Sequence, residues 1–315
     1  MRLYSIVLTI FSLNKWKWEI IILGDKMQIT DLYLNDFADE QIGKKNGKNY
    51  IIKNIKEEYA KVTMIEIKNN NNEFHKEKGN YITIACLNDH DNEKIIAKYL
   101  LKVLKKNNFT KNSHVLIVGL GNDSYLSDAL GPKVIKKVQV TSHLSFNKFN
   151  LVEVSCFVPG VMAVTGLESS EMVKSLVKEF AIDLVIVVDS LATRDITRLY
   201  KTYQITDTGI SPGSGINNNR LSLNKKTLKV PVIAIGVATV VDTISLIINT
   251  LEQVDKNYIH KLNINKLYNT LYHKDTNFIL TSKEIDSLID IIASNISSAI
   301  NYALNPKLSI NDKVR

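Results

Sequence analysis

The chain has 315 residues, of which 40 are Lys or Arg and 32 Asp or Glu, giving a formal net charge of +8 at neutral pH. With 45% hydrophobic and 23% charged residues, it has the balance of an ordinary globular protein long enough to bury a sizeable core. Its 2 cysteines, Cys86 and Cys156, exclude a disulfide scaffold and a multi-cysteine zinc motif and point to a reducing compartment, while a charge of +8 on this length is not by itself a nucleic-acid footprint.

Residues 1–26 stand apart in composition. Their apolar runs, 3–13 and 20–23, are shorter than the roughly 20 residues a bilayer span needs. No small-residue cleavage site of a signal peptide follows them. The mixture of apolar, Lys and Trp residues also suits a membrane-surface anchor. The reading adopted is that translation begins at Met27, since Gly24-Asp25-Lys26 can be encoded by a stretch resembling a ribosome-binding site.

Segment 44–80 is Lys- and Asn-rich with a polar turn at 69–72, and alternation around that turn, over 62–68 and 81–86, predicts a β-hairpin. Residues 93–106 (EKIIAKYLLKVLKK) carry apolar positions at helical spacing and predict an amphipathic helix. Three continuous apolar runs of strand length, 114–120, 183–188 and 230–237, read as strands buried on both faces. Helices are expected at 129–138, 169–181, 238–254 and 282–303, with 255–275 polar and irregular. The alternation implies an α/β fold: a mostly parallel twisted sheet with helices on both faces, plus an N-terminal β-hairpin region.

In such sheets chemistry gathers beyond the carboxyl ends of the strands. Three polar segments fall there, at 119–132, 189–194 and 207–215. Gly119-x-Gly121 begins like a dinucleotide fingerprint, but Ser124 stands where the third glycine is needed. The loops supply two carboxylates, Asp128 and Asp189. Neighbouring carboxylates cannot easily both ionise, so one can serve as general base on water while the other, protonated, polarises a carbonyl. Against this, an Asp ahead of a helix often only caps it, which is the plain alternative for Asp128. Asp189 ends an apolar run, where a charge must be paired or used. Asp183 reads as a solvated flank and Asp242 as a structural residue within the expected 238–254 helix. The six histidines lack metalloprotease spacing, Ser214 lies in no nucleophile elbow, Cys156 reads as a small buried hydrophobe, and the lysine clusters at 44–48 and 102–106 read as solvated faces.

The motifs VLIVGLGN…DALGPKV (115–134), FVPGVMAVTGLESSEMV (157–173), DLVIVVDSLATR (183–194), ITDTGISPGSG (205–215), VPVIAIGVATVVD (230–242) and NFILTSKEIDSLID (277–290) occur in that order. Together they resemble the germination proteases of endospore-forming bacteria, and 61–84 fits more weakly. The resemblance implies an endopeptidase that degrades small acid-soluble spore proteins at germination. It implies no bound metal and no cofactor, with the two essential aspartates at Asp128 and Asp189. It implies the fold of the hydrogenase maturation endopeptidases, in which carboxylates at these positions bind nickel with a histidine; no such histidine is evident here. Ser211 stands where the spore enzymes usually carry His. Gly121, Asn122, Arg194 and Asp207 match family motifs and are implied to orient the pair or the substrate.

The resemblance also implies a self-processing zymogen. Ile29-Thr30-Asp31-Leu32-Tyr33 aligns with the family's processing site, predicting a cut at Asp31–Leu32, with Asp36–Phe37 as the alternative. The expected organisation is an extension at 1–26, a propeptide-like segment at 27–36 and one peptidase domain at 37–315. The implied setting is a homotetramer in the cytoplasm of the forespore or spore core, with no direct contact to nucleic acid or membrane. The alternatives are a catalytically divergent paralogue and a metal-dependent endopeptidase of the maturation type.

Overall fold

The apolar runs become the centre of a mixed sheet. The computed structural model describes residues 47–70, 72, 76–87, 92–144, 150–193, 195–211, 221–254, 266–267, 270 and 279–311. The chain divides into two units, Met1–Leu32 and Tyr33–Arg315, and all described residues lie in the second. The expected extension at 1–26 and propeptide-like segment at 27–36 lie outside the described residues.

In chain order the elements are β1 (Tyr50–Lys56), β2 (Ala60–Ile67), β3 (Gly79–Cys86), α1 (Asn92–Lys106), β4 (His114–Gly119), a 3-10 turn (Leu126–Asp128) and α2 (Leu130–Ile135). There follow β5 (Glu153–Phe157), α3 (Met162–Thr165), α4 (Ser169–Glu179), β6 (Leu184–Thr193), a second 3-10 turn (Ile196–Arg198) and β7 (Thr202–Thr206). The last are α5 (Lys225–Leu228), β8 (Val232–Asp242), α6 (Thr243–Val254), β9 (Ile279–Leu280), α7 (Ile285–Leu304) and α8 (Pro306–Asn311). The sheet runs β1-β2-β3-β7-β8-β6-β4-β5, with β9 added on β8.

The fold is α/β, with β5, β4, β6 and β8 parallel. The predicted hairpin is β2 paired with β3, but it is not an appendage. A further strand, β1, extends it, and β7 runs antiparallel to both β3 and β8, joining it to the parallel half.

Each central strand divides its side chains between two cores, which is why its sequence is apolar without interruption. Val115 and Ile117, Leu184, Ile186 and Val188, and Ile233, Ile235 and Val237 face α1, α2 and α7 through Leu100, Leu130 and Ile296. The alternate residues Leu116 and Val118, Val185 and Val187, and Val232 and Ala234 face Val173 and Val177 of α4 and Leu228 of α5. Helices therefore cover both faces.

Two expected boundaries are corrected. β6 continues past residue 188 to Thr193, and β8 continues to Asp242, so the helix expected from 238 begins at Thr243. Beyond Val188, β6 has lost β4 as a neighbour but keeps β8, pairing Asp189 with Gly236 and Thr193 with Val241. Thr239, Val240 and Val241 are β-branched and favour this extension. Asp242 consequently closes a strand, opposite Ile279 of β9, rather than sitting inside a helix. Among the described residues, no helix is long and apolar enough to cross a membrane.

Candidate active site

β4 ends at Gly119, opposite Val188 of β6, and Leu120 N–H makes one more sheet-like bond to the Val188 carbonyl at 2.8 Å. The chain then leaves the sheet in a loop that closes on itself. Asn122 N–H donates to the Asp128 carbonyl at 2.9 Å, Asp128 N–H to the Tyr125 carbonyl at 2.8 Å, and Tyr125 N–H to the Asn122 carbonyl at 3.0 Å. The Asn122 side chain accepts Ser124 N–H at 3.0 Å, an Asx turn that holds the bend. Gly121 has φ +113°, and a Cβ there would stand 1.9 Å from the Asp128 carbonyl oxygen and 3.1 Å from Asp128 Oδ1. Only glycine admits that approach. Gly121 and Asn122 thus serve Asp128 by shaping its loop.

Asp128 is not the N-cap residue of α2. The N-cap of α2 is Ala129, and no side chain caps it. Asp128 instead sits at the end of the 3-10 turn, which touches both β6 and β8.

Asp189 is only 6% exposed and is the first residue of β6 past the end of β4, mid-strand rather than at a strand end. In a parallel ladder alternate residues bond to the same neighbour. Since Val188 accepts from Leu120, the N–H of Ser190 faces the same side, where β4 has stopped. Asp189 Oδ1 accepts that N–H at 2.8 Å. The carboxylate is thereby held at the edge that the Asp128 loop covers.

A further residue that the sequence does not single out holds this loop. Thr239 of β8 donates from Oγ1 to the Ser127 carbonyl at 2.6 Å, fastening the peptide just before Asp128. A threonine within a β-branched run carries no sequence signal for such a role.

Asp207 is not brought to this place. Its Oδ1 accepts Asn80 N–H at 2.7 Å and its Oδ2 accepts Asn80 Nδ2 at 2.6 Å, closing the β3–β7 pair. Gln204 is level with Gly236, itself level with Asp189. Because β7 runs antiparallel, Asp207 lies about 10 Å further along the strand direction, toward the opposite end of the sheet. The structure does not place it to orient the pair; its carboxylate ties two strands together. Arg194, Asp31, Leu32, Asp36 and Phe37 lie outside the described residues. Ser211 shares a hydrogen bond with the Ser222 hydroxyl at 2.6 Å. His114 stands at the amino end of β4, away from the carboxylates, its ring between the Phe180 carbonyl at 3.1 Å and the Ser155 hydroxyl at 2.9 Å. Among the described residues, no three His, Cys, Asp or Glu side chains gather as a metal site would require.

A family model described as germination protease matches residues 26–271. The chain belongs to the germination protease family. The germination protease of Caldanaerobacter subterraneus subsp. tengcongensis is 39% identical, over 92% of this chain and 97% of its own. That of Clostridium tetani is 36% identical over 83% and 90%, and that of Bacillus subtilis 32% identical over 76% and 81%. Among solved structures, the NiFe-hydrogenase maturation protease HycI of Thermococcus kodakarensis KOD1 is similar at a TM-score of 0.36 and 16% identity, covering 64% of this chain and 99% of that one.

As a germination protease the chain is a hydrolase of peptide bonds. Cys156 is poorly suited to attack one, because burial pushes its thiol up to about 12. At about pH 8 almost none of it is thiolate. Iodoacetamide is therefore expected to leave Cys156 of the folded protein unlabelled while labelling it in denaturant, as read by mass spectrometry. Rapid labelling of the folded chain would show a thiol more acidic than its burial implies.

Proposed function

We propose that the chain is the endopeptidase that begins degradation of small acid-soluble spore proteins at germination, with Asp128 and Asp189 activating water. What carries this reading is that two aspartates from different segments both lie at the end of β4, one in the loop that leaves it and one just past its last pairing with β6. One sits in a glycine-dependent loop, and the other is buried in mid-strand.

The pair holds one proton between its two carboxyl groups. The ionised group takes a proton from water as the water oxygen adds to the scissile carbonyl carbon. The protonated group gives its proton to the carbonyl oxygen. The tetrahedral intermediate then collapses and the C–N bond breaks as the departing amine takes up the proton held by the first carboxylate. The second carboxylate takes back a proton from one of the two hydroxyls on the carbon, leaving the product carboxyl group. The pair returns to its starting state with one water consumed. No cofactor enters this scheme.

Family membership supports the spore-protein substrate, and the sequence around Asp31 supports a zymogen that trims its own amino end. The enzyme acts as a homotetramer in the cytoplasm of the forespore or spore core, without direct contact to nucleic acid or membrane. Incubating purified protein with a purified small acid-soluble spore protein tests this. Cleavage is expected, unaffected by EDTA, and the enzyme's own new amino terminus is expected at Leu32 or, as the alternative, Phe37. Cleavage lost in EDTA and restored by a divalent metal would favour the maturation-type reading. Folded protein without any cleavage would favour a divergent paralogue.

A further inference from the structure

β6 and β8 stay in register up to Leu191 opposite Ala238 and resume at Ala192 opposite Val240. Thr239 is therefore an extra residue on β8, a bulge, which bends the strand and re-aims a side chain at that point. It is wholly buried, at 0% exposure, and a buried hydroxyl needs a partner. The partner it takes is not on its own strand but the Ser127 carbonyl, one peptide before Asp128.

The bulge is itself held from two other segments. Its carbonyl, displaced from the ladder, accepts from Tyr200 Oη at 2.9 Å and Thr281 Oγ1 at 2.8 Å, and those two hydroxyls also touch each other. Tyr200 N–H donates to the Ala238 carbonyl at 3.0 Å, and its hydroxyl accepts Ser282 N–H at 3.2 Å. Tyr200 has φ +60°, a left-handed conformation that bulky residues rarely adopt and that persists where surroundings over-determine it. Strand pairing, two hydroxyls and a strained residue thus converge on one threonine, and its one side-chain bond runs to the catalytic loop.

We infer that Thr239 is a positioning residue: the bulge aims its hydroxyl at the Ser127 carbonyl and thereby fixes the Asp128 carboxylate relative to Asp189. This rests on the carboxylate pair proposed above. Thr239 touches neither water nor substrate in the scheme. It removes the freedom of the Ser127–Asp128 peptide, and small misplacements of a catalytic group cost about a hundredfold in rate.

The test compares Thr239→Val, which keeps the shape and loses the hydroxyl, with Thr239→Ser, which keeps the hydroxyl. Cleavage of a purified small acid-soluble spore protein is followed below the unfolding temperature of each variant. Thr239→Val is expected to lower kcat about a hundredfold with KM within about threefold, and Thr239→Ser to recover most of that loss. Tyr200→Phe, which removes one of two donors to the bulge carbonyl, is expected to lower kcat about tenfold with KM held. It carries the test if Thr239→Val does not fold. A merely structural threonine would lower thermal stability and leave kcat alone. An unchanged kcat in Thr239→Val, or in Tyr200→Phe where that variant carries the test, overturns the inference, as does a Thr239→Ser no better than Thr239→Val. Asp128→Asn is assayed alongside. If it is inactive while Thr239→Val is fully active, the positioning role alone fails; if it is fully active, the carboxylate pair fails and the inference with it.

Discussion

Asp128→Asn and Asp189→Asn are each expected to lower cleavage of a small acid-soluble spore protein by about a thousandfold or more, the usual scale for removing a positioned acid or base. Asparagine has nearly the shape of aspartate but can neither take a proton from water nor hold the shared one. Neither change should unfold the chain. At Asp128 the loop is closed by main-chain bonds, from Asn122 N–H to its carbonyl and from its own N–H to Tyr125, and these do not involve the carboxylate. At Asp189 the amide oxygen can still accept Ser190 N–H, and a neutral group replaces a carboxyl that is only 6% exposed. Thermal unfolding within a few degrees of wild type, together with lost activity, is therefore the expected combination, read by calorimetry and by the cleavage assay.

Gly121→Ala is expected to be the most damaging change that leaves every functional group in place. At φ +113° a Cβ is strained in itself, and here it would lie 1.9 Å from the Asp128 carbonyl oxygen. That oxygen belongs to the main chain and cannot swing aside as a flexible side chain could. The Asn122–Asp128 closure has to open, carrying the carboxylate with it. The cost is about 2 kcal/mol or more of stability, from backbone strain and the lost loop bond, and about a hundredfold in kcat from misplacement. Denaturant unfolding and steady-state kinetics check the two effects separately. A variant with wild-type kcat would show that the loop does not set the position of Asp128.

The sequence makes plain those parts of the fold whose burial is uniform. β4 after His114, the first half of β6 and the first half of β8 are apolar at every position because helices cover both faces, and α1 and α7 show one apolar stripe. What escapes is what burial does not mark. β7 reads Thr-Tyr-Gln-Ile-Thr, polar at alternate positions, yet every residue of it is buried. β1 lies at the sheet edge, and its Lys53, Asn54 and Lys56 hide its apolar alternation. The end of β8 has apolar residues spaced well enough for a helix, and only pairing with the extended β6 makes it a strand. For the candidate site, residue chemistry singled out Asp128 and Asp189, and the resemblance added Gly121 and Asn122. Capping geometry was needed to free Asp128 from its plain alternative. Thr239 was out of reach, because a bulge is a mismatch between two strands and exists in neither sequence alone. Asp207, in a matching motif, proved to be a strand tie.

The central claim is that Asp128 and Asp189 work as one unit on one water, and a double-substitution cycle tests it most directly. Purified wild type, Asp128→Asn, Asp189→Asn and the double variant are compared by kcat/KM on the same spore protein. The account predicts that each single change removes nearly all activity and that the double variant is no worse than the worse single one, since a unit can be broken only once. A single variant within about threefold of wild type, or losses that multiply in the double variant as independent groups would give, would contradict it.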